Sequence, residues 1–372
     1  MGKGLAIFSH DFIGIIASYF SYNLDEVLLL KHINRNWNSY IYTIKSNNIE
    51  HSKNFKIIYK APRINKEIAY NENIVGLNIS PFNVINLNLF THITYLNCVN
   101  CNYIIDESIK CLTNLTYLNC TYCKYITGKG LKYLTRLEYL SCSFCEDSIR
   151  KGFNYLTNLT SLSCNNISIE NIKNLTNLRQ LRCRRSQNIS FYIQLTYLDC
   201  AACPNITDKE IKILVNLTYL NCSQCTEITD NGIKDLIMLT ELDCSLCPNI
   251  TGICMNNLTR LKYLNCSLCE KIEQLPNATT LICSDCPNIS DINIKKLIDL
   301  VTLFCVNCQK ITDEGIKYLT NLTILNCINS YNISENGLIH LTKLKYLNTS
   351  VDITDRSIFT DLQALNNPAL NI

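Results

Sequence analysis

The fold is decided by one stretch of sequence, LTYLNCSQCTEITDNGIKDL, which occupies residues 217–236. Leu220 and Cys222 alternate with polar or aromatic residues, which is the period of two expected of a strand with one buried face. After the strand, Ile233 and Leu236 are three residues apart and share one side of a short helix. The stretch therefore predicts a strand followed by a helix that packs back toward it.

The same pattern recurs along the chain, in thirteen repeats. They begin at Ile93, Leu115, Leu137, Leu159, Leu178, Leu195, Leu217, Leu239, Leu261, Ala278, Leu300, Leu322 and Leu344. Nine of the twelve spacings are 22 residues, and the others are 19, 17 and 17. A repeat of this size cannot bury its apolar side alone and must stack on its neighbours, which predicts a solenoid.

The shared form is L-x-x-L-x-C-x-x-C-x-x-I-T-D-x-G-I, in which Thr229 or Asp230 can cap the helix. Over residues 93–362 this form resembles the cysteine-containing class of leucine-rich repeats. The resemblance implies an α/β horseshoe with a parallel sheet on its concave side and helices on its convex side. It also implies a protein that binds other proteins and is not an enzyme.

Irregular repeats interrupt this pattern at two places. We interpret two repeats between Leu178 and Leu217 as short, and the run SFYIQ from Ser190 replaces the segment of the capped helix. Around Glu273–Pro276 another repeat shortens, and Pro276 stands where the helix would otherwise run. We expect these repeats to lack a helix and the curvature to change there.

The twenty-three cysteines include nine Cys-x-x-Cys pairs, from Cys98/Cys101 to Cys305/Cys308. All nine fall on the same two repeat positions, so stacking arranges the thiols in two ladders and not in one tetrahedral zinc site. We therefore expect buried structural thiols and no metal. The five histidines fall on no metal or triad spacing, and the chain has no nucleotide-binding or hydrolase motif. These observations predict no active site and no cofactor.

Composition argues against several classes of partner. With 47% apolar and 17% charged residues the chain is expected to fold, and a net charge of +3 gives no footprint for nucleic acid or for a membrane surface. No apolar run reaches the roughly 18 residues of a membrane span. Ser9, His10 and Asp11 interrupt the apolar run that a signal peptide would need. We expect a cytoplasmic or nuclear protein.

Residues 1–46 lack the repeat and predict three short helices, the second through Leu28 and the third following Asn36. The run from Phe12 to Trp37 resembles an F-box, which implies a small all-α domain that binds a Skp1-like protein. The residues expected to contact Skp1 are Phe12, Ile15, Ile16, Tyr19, Phe20, Leu28 and Trp37. The alternative is a three-helix cap that only closes the end of the solenoid.

Between these parts, residues 47–92 are expected to be a linker with a degenerate first strand at 74–79, and residues 363–372 a C-terminal tail. An N-terminal F-box followed by such repeats resembles the substrate-recognition adaptors of SCF-type E3 ubiquitin ligases. The richness in Asn, Ile, Lys and Tyr is similar to that of F-box/leucine-rich-repeat proteins from large DNA viruses of amoebae. The rival interpretation is a non-catalytic interaction scaffold.

The repeat at Leu178 departs from the others, because the run LRQLRCRR keeps the inward frame but adds four arginines. The predicted target-binding residues are Arg179, Arg182, Arg184 and Arg185, together with Tyr139, Tyr197, Tyr219 and Asp199 on nearby strands. Guanidinium groups suit carboxylates and phosphates, so an acidic or phosphorylated target is expected. The alternative is a solvated run of charges. If the surface binds a target, changing Arg182 and Arg184 to Glu weakens binding and leaves stability nearly unchanged.

Overall fold

The computed structural model of the chain describes residues 28–30, 41–43, 56–61, 74–79, 86–186, 194–351, 353–354 and 364–365. The chain divides into two compact units, Met1–Thr160 and Ser161–Ile372, each of which is described by itself. Each of the thirteen predicted repeats contains one strand, and within each unit successive repeats pair in parallel. The predicted α/β solenoid of leucine-rich repeats is confirmed.

The first unit contains seven described strands. They are β1 (Leu28–Leu30), β2 (Ile41–Thr43), β3 (Lys56–Ala61), β4 (Ile74–Ile79), β5 (Tyr95–Asn97), β6 (Tyr117–Asn119) and β7 (Tyr139–Ser141). β1 and β2 are antiparallel, and from β2 to β7 each strand pairs in parallel with the next. The described helices are α1 (Asp106–Ile109), α2 (Gly128–Leu131) and 3-10 segments at Leu87–Leu89 and Asp147–Tyr155.

The second unit continues the pattern in a parallel sheet. Its described strands are β8 (Ser161–Ser163), β9 (Gln180–Arg182), β10 (Tyr197–Asp199), β11 (Tyr219–Asn221), β12 (Glu241–Asp243), β13 (Tyr263–Asn265), β14 (Thr280–Ile282), β15 (Thr302–Phe304), β16 (Ile324–Cys327), β17 (Tyr346–Thr349) and β18 (Ala364–Leu365). Its described helices are α3 (Ile169–Ile172), α4 (Asp208–Ile211), α5 (Asp230–Ile233), α6 (Asp291–Ile294), α7 (Asp313–Ile316), α8 (Glu335–Leu338) and a 3-10 turn at Met255–Asn257.

The core lies between the strands and the helices of each repeat. Leu220 and Cys222 from the strand segment, and Ile233 and Leu236 from the helix side, are all fully buried. Equivalent Leu, Ile and Cys residues of neighbouring repeats are buried in the same way, so the core continues from repeat to repeat. This is the inward face that the alternating pattern predicted.

In the repeats that carry the Thr-Asp pair, its two residues have separate roles. Thr229 caps α5, because its side-chain oxygen accepts a hydrogen bond from the backbone N–H of Asn231 at 3.1 Å. Asp230 reaches the next repeat and accepts hydrogen bonds from the backbone N–H of Thr251 at 2.9 Å and its hydroxyl at 2.8 Å. The same link joins Asp106 to Thr127, Asp208 to Thr229, Asp291 to Thr312 and Asp313 to Ser334. Of the two capping residues that the sequence allowed, the threonine is the cap.

This link also accounts for the glycine of the motif. A Cβ atom on Gly232 would lie 2.5 Å from Oδ1 of Asp208, and one on Gly130 would lie 2.6 Å from Oδ1 of Asp106. Side chains do not approach so closely, so a larger residue would push the preceding repeat away.

The irregular repeats follow the prediction only in part. The repeat from Leu261 has no helix in its described residues 266–279, as predicted. The repeat from Leu195 was expected to lack a helix and instead contains α4, because Thr207 caps it as in the regular repeats. That prediction is wrong. In the repeat from Leu178, residues 187–193 lie outside the described residues.

The helices predicted within residues 1–46 are wrong where the structure describes this segment, since Leu28–Leu30 and Ile41–Thr43 are strands. Periodicity alone does not distinguish a short apolar strand from a helix, and Ile, Tyr and Thr favour strands. Pairing of β1 with β2 and of β2 with β3 fixes the extended form. Of the predicted Skp1-binding residues only the backbone of Leu28 is described. Phe12, Ile15, Ile16, Tyr19, Phe20 and Trp37 lie outside the described residues.

Three further strands lie outside the thirteen repeats. β4 occupies residues 74–79, where the sequence predicted a degenerate first strand, and pairs with β5. β3 lies in the segment expected to be a linker, and β18 lies in the segment expected to be a tail. The signal for β18 was present in the sequence, because Leu362 and Leu365 repeat the Leu-x-x-Leu spacing.

Candidate binding face of the repeats

The candidate functional surface is the outward side of the parallel sheet. We define the sheet face as the side chains at the first and third positions of the repeat strands, such as Glu241 and Asp243 in β12. The inward Leu between them is buried in repeat after repeat. The outward positions change, with Tyr, Glu, Gln, Ser, Thr or Ile at the first and Asn, Asp, Ser, Arg, Ile or Phe at the third. The outward residues of the sheet face therefore differ from repeat to repeat, while the buried inward residues, which we call the frame, stay the same.

The arginines predicted to bind the target do not share one environment. Arg182, at the end of β9, is exposed, and its Nε donates a hydrogen bond to the Tyr197 hydroxyl at 3.1 Å. Its guanidinium carbon lies 5.1 Å from the centre of the Tyr197 ring, within the range of a cation–π interaction. Arg179 is half-buried and donates to the Leu178 carbonyl at 3.2 Å. Arg185 is exposed in the turn after the strand, with φ of 57°.

Arg184 has a structural partner that the sequence did not reveal. Its Nε lies 3.0 and 2.9 Å from the two carboxylate oxygens of Asp199, and its Nη2 lies 2.9 Å from Oδ2. Asp199 is only 3% exposed, so the arginine compensates a buried negative charge. A Glu at position 184 would place a second carboxylate against it. The expectation that this substitution leaves stability unchanged is therefore wrong for Arg184.

Stacked tyrosines occupy the first strand position in both units. In the first unit, Tyr139 stacks on Tyr117 and Tyr117 on Tyr95, with ring centres 4.3 Å apart in each pair. Burial and the neighbouring tyrosines raise the pKa of Tyr117. In the second unit, Tyr197 stacks on Tyr219 at 4.1 Å. The structure thus brings Tyr197 and Tyr219 together with Arg182, while the described ring contacts of Tyr139 lie in the first unit.

Two carboxylates further along the second unit were missed by the sequence reasoning. Glu241 is exposed and stands in register between Tyr219 and Tyr263. Asp243 accepts hydrogen bonds from the backbone N–H and hydroxyl of Ser245, at 3.0 and 2.7 Å, and from Nδ2 of Asn265 at 3.1 Å. Burial, followed by the charges of Asp243 and Glu241, raises the pKa of Tyr263 to about 12. The signal in the sequence was the replacement of Tyr by Glu at the first position of β12.

Apolar side chains follow on the next strands and were also missed. Ile282 at the third position of β14 is in register with Phe304 at the third position of β15, and Ile324 opens β16. Ile282 and Ile324 are half-buried, and Phe304 is 7% exposed. Most other repeats carry Asn, Asp or Ser at the third position.

The cysteines form the ladders that the sequence predicted, and all twenty-three are free thiols. In eight repeats the second thiol donates to the carbonyl of the first cysteine of the preceding repeat, at 2.9–3.2 Å. In one repeat Ser330 takes this place and donates to the Cys305 carbonyl at 2.6 Å. Burial raises the pKa of Cys305. The second cysteine of these eight repeats is therefore a hydrogen-bond donor that links neighbouring repeats.

Neither a metal cluster nor a membrane span is found in the part of the chain that the structure describes. There, no group of three or more His, Cys, Asp or Glu residues is placed to hold a metal ion. Over the same residues, no helix has the length and apolarity needed to cross a membrane.

No protein-family model and no curated protein matches the chain. Among solved structures it is similar to a leucine-rich-repeat protein of Leptospira interrogans, with 20% identity, a TM-score of 0.52, and coverage of 80% of this chain and 84% of that one. The functional domain of InlJ from Listeria monocytogenes, which includes a cysteine ladder, is 24% identical with a TM-score of 0.50. That match covers 80% of this chain but only 62%, less than two thirds, of the other. The internalin InlF of Listeria monocytogenes is 20% identical, with coverage of 84% and 86% and a TM-score of 0.47. The two matches with TM-scores of 0.50 and 0.52 show, at these identities, the leucine-rich-repeat fold alone.

Proposed function

We propose that this chain recognises a partner protein with its sheet face and performs no chemistry of its own. The observation that carries the proposal is the change of the outward residues on a constant inward frame. In the second unit the face passes from arginine in β9 to carboxylates in β12 and to apolar side chains in β14 and β15. Tyr and Arg are the residues that contribute most at protein interfaces, which supports a binding role.

The part of the face around Arg182 is proposed to bind an acidic or phosphorylated segment. Arg182 and Arg185 are exposed, and a planar guanidinium group suits a carboxylate or a phosphate. A fluorescein-labelled short peptide with a block of Glu and phosphoserine is the probe, and fluorescence anisotropy is the readout. We expect Arg182→Glu to weaken its binding about tenfold, which is about 1.4 kcal/mol, and added salt to weaken it further.

The matched control is Lys212→Glu, which makes the same charge change at an exposed residue after α4. It should leave binding unchanged. If the peptide binds the Arg182→Glu variant and the wild-type chain equally well, the arginines are solvated charges and the acidic-partner proposal is lost.

We also propose that the chain presents its partner to a Skp1-dependent ubiquitin ligase, as an adaptor acting in the cytoplasm or nucleus. The support is the resemblance of residues 12–37 to an F-box. Co-purification of the full chain with recombinant Skp1 tests it. Replacing Ile15, Ile16 and Trp37 by polar residues should abolish capture, while circular dichroism of the repeats stays unchanged.

A wild-type chain that fails to capture Skp1 at micromolar concentration would leave the second candidate, an interaction scaffold whose N-terminal segment closes the end of the sheet. One observation favours that candidate. β2 pairs with β3, and β1 with β2, so the described backbone of this segment extends the sheet of the first unit.

A further inference from the structure

The sheet face of the second unit has an apolar patch, formed by Ile282, Phe304 and Ile324, that the frame does not require. The third strand position on either side of Ile282 and Phe304 is an asparagine, Asn265 in β13 and Asn326 in β16. Asn265 accepts a hydrogen bond from the backbone N–H of Ser267 at 3.2 Å, so a polar side chain fits this position. Ile282 and Ile324, which are half-buried, are therefore available for a partner, and Phe304, on the strand between them, adds only a small exposed part of its surface.

Negatively charged side chains lie on the strands before this apolar patch. Glu241 and Asp243 lie two strands before Ile282, and within the described residues neither carboxylate forms an ion pair with a lysine or arginine. The rings of Tyr219 and Tyr263 stand in register on both sides of Glu241. A carboxylate between two aromatic rings suits a basic side chain, because ion pairing and cation–π attraction act together.

We propose that this part of the sheet face binds an extended segment of the partner, in which a basic residue and an apolar residue are four positions apart. The basic residue would contact Glu241 and Asp243, and the apolar residue would contact Ile282 and Phe304. The inference rests on the proposed function and specifies the chemistry of its partner.

The spacing follows from the sheet. Neighbouring strands are about 4.8 Å apart, so β12 is about 10 Å from β14 and about 14 Å from β15. An extended chain advances about 3.3–3.6 Å per residue, so about four residues reach β15, and residues four positions apart point to the same side of an extended segment. The first and third positions of a strand are only about 7 Å apart, narrower than the roughly 10–12 Å diameter of a helix. An extended segment therefore fits these two rows better than a helix.

The test is selection of displayed random short peptides on the full chain and on three variants. Glu241→Gln with Asp243→Asn removes the charge. Asn at position 243 keeps the backbone hydrogen bond, as Asn221 does in its repeat, and gives up one acceptor oxygen for Nδ2 of Asn265. Ile282→Asn with Phe304→Asn removes the patch in the same manner. Glu227→Gln with Asp235→Asn is the control, since it removes two exposed charges away from the sheet face.

We expect the wild-type chain to enrich peptides with Arg or Lys four positions from an aliphatic or aromatic residue. Their affinity should fall about tenfold in each of the first two variants and stay unchanged in the control. Peptides without this pair, with the pair about seven positions apart as in a helix, or with equal affinity for the variants would overturn the inference. If these peptides nevertheless need Arg182 for their affinity, the proposal that the sheet face recognises a partner still stands. If none depends on any outward residue, or no peptide is enriched, the proposed function fails with it.

Discussion

The helix side and the sheet face of the same repeats differ in how their residues recur. On the helix side, Asp230 bonds to Thr251 of the next repeat, and Gly232 leaves room for Asp208 of the preceding one. Each of these residues is fixed by a contact to a neighbour, so the sequence repeats. On the sheet face, residues such as Glu241 and Phe304 differ from those of adjacent repeats without disturbing the frame. Repetition here marks the fold, and departure from it marks the candidate binding surface.

The largest effect is expected from breaking the frame within one strand. Leu220 is fully buried, so Leu220→Ala should lower the free energy of unfolding by about 2–5 kcal/mol. Its neighbour Tyr219 lies on the sheet face, and Tyr219→Ala should cost about 0.5–1.5 kcal/mol through lost stacking on Tyr197. Urea unfolding of the two variants measures the difference. Equal losses would mean that the sheet face is structural as well.

A smaller effect is expected from cutting the link between repeats. Asp230 accepts hydrogen bonds from Thr251 and from the backbone N–H of Gly252 at 3.0 Å, and Asp230→Ala leaves these donors without a partner. We expect a loss of about 1–3 kcal/mol in thermal or urea unfolding. Asp235→Ala, at an exposed position of the same repeat, should stay within about 0.5 kcal/mol of wild type. A large loss of stability in both variants would mean that the negative charge, and not the hydrogen bonds between repeats, stabilises the chain.

The same carboxylate predicts acid sensitivity. Burial raises the pKa of Asp230, but the hydrogen bonds from Thr251 outweigh it, and the pKa ends below its ordinary value of 3.8. A pKa lowered by folding contributes stability that is complete above the unfolded value and is lost as the pH falls through the folded-state pKa. The melting temperature of wild type should therefore approach that of Asp230→Ala below pH 3.8. A constant gap between the two variants at all pH values would contradict this.

The two cysteine ladders predict unequal effects for the same substitution. Cys222→Ser places a hydroxyl at a fully buried inward position, where an unsatisfied polar group costs about 1–3 kcal/mol. Cys225→Ser should be nearly neutral, because its thiol already donates to the Cys200 carbonyl and Ser330 makes the corresponding bond in its own repeat. Thermal unfolding of the two single variants compares them. Equal destabilisation would mean that both positions act only as small apolar residues.

The fold was predictable because each repeat carries its own strand pattern and capping residues. The prediction failed for the repeat from Leu195, which was interpreted as short although Leu195 and Leu217 are 22 residues apart and Thr207 caps its helix α4. The candidate site was less predictable, since a sequence shows charge but not its neighbour across strands. The ion pair between Arg184 and Asp199 joins residues 15 positions apart in adjacent repeats. The register of Ile282 with Phe304 likewise exists only after stacking.

The smallest of the predicted effects concerns metal ions. Removing them is expected to leave the stability of the chain unchanged. A four-thiolate zinc site needs several deprotonated cysteines converging on one point. Here the Cys247 thiol donates to the Cys222 carbonyl at 3.1 Å, and the hydrogen bond with Cys247, followed by burial, raises the pKa of Cys222 well above its usual range. The Cys222 thiol therefore stays protonated near neutral pH. Dialysis against a chelator should therefore leave the melting temperature unchanged, and elemental analysis should find no stoichiometric zinc. One tightly held zinc per chain, with unfolding on its removal, would mean that ladder cysteines serve as metal ligands and that the frame is not held by packing alone.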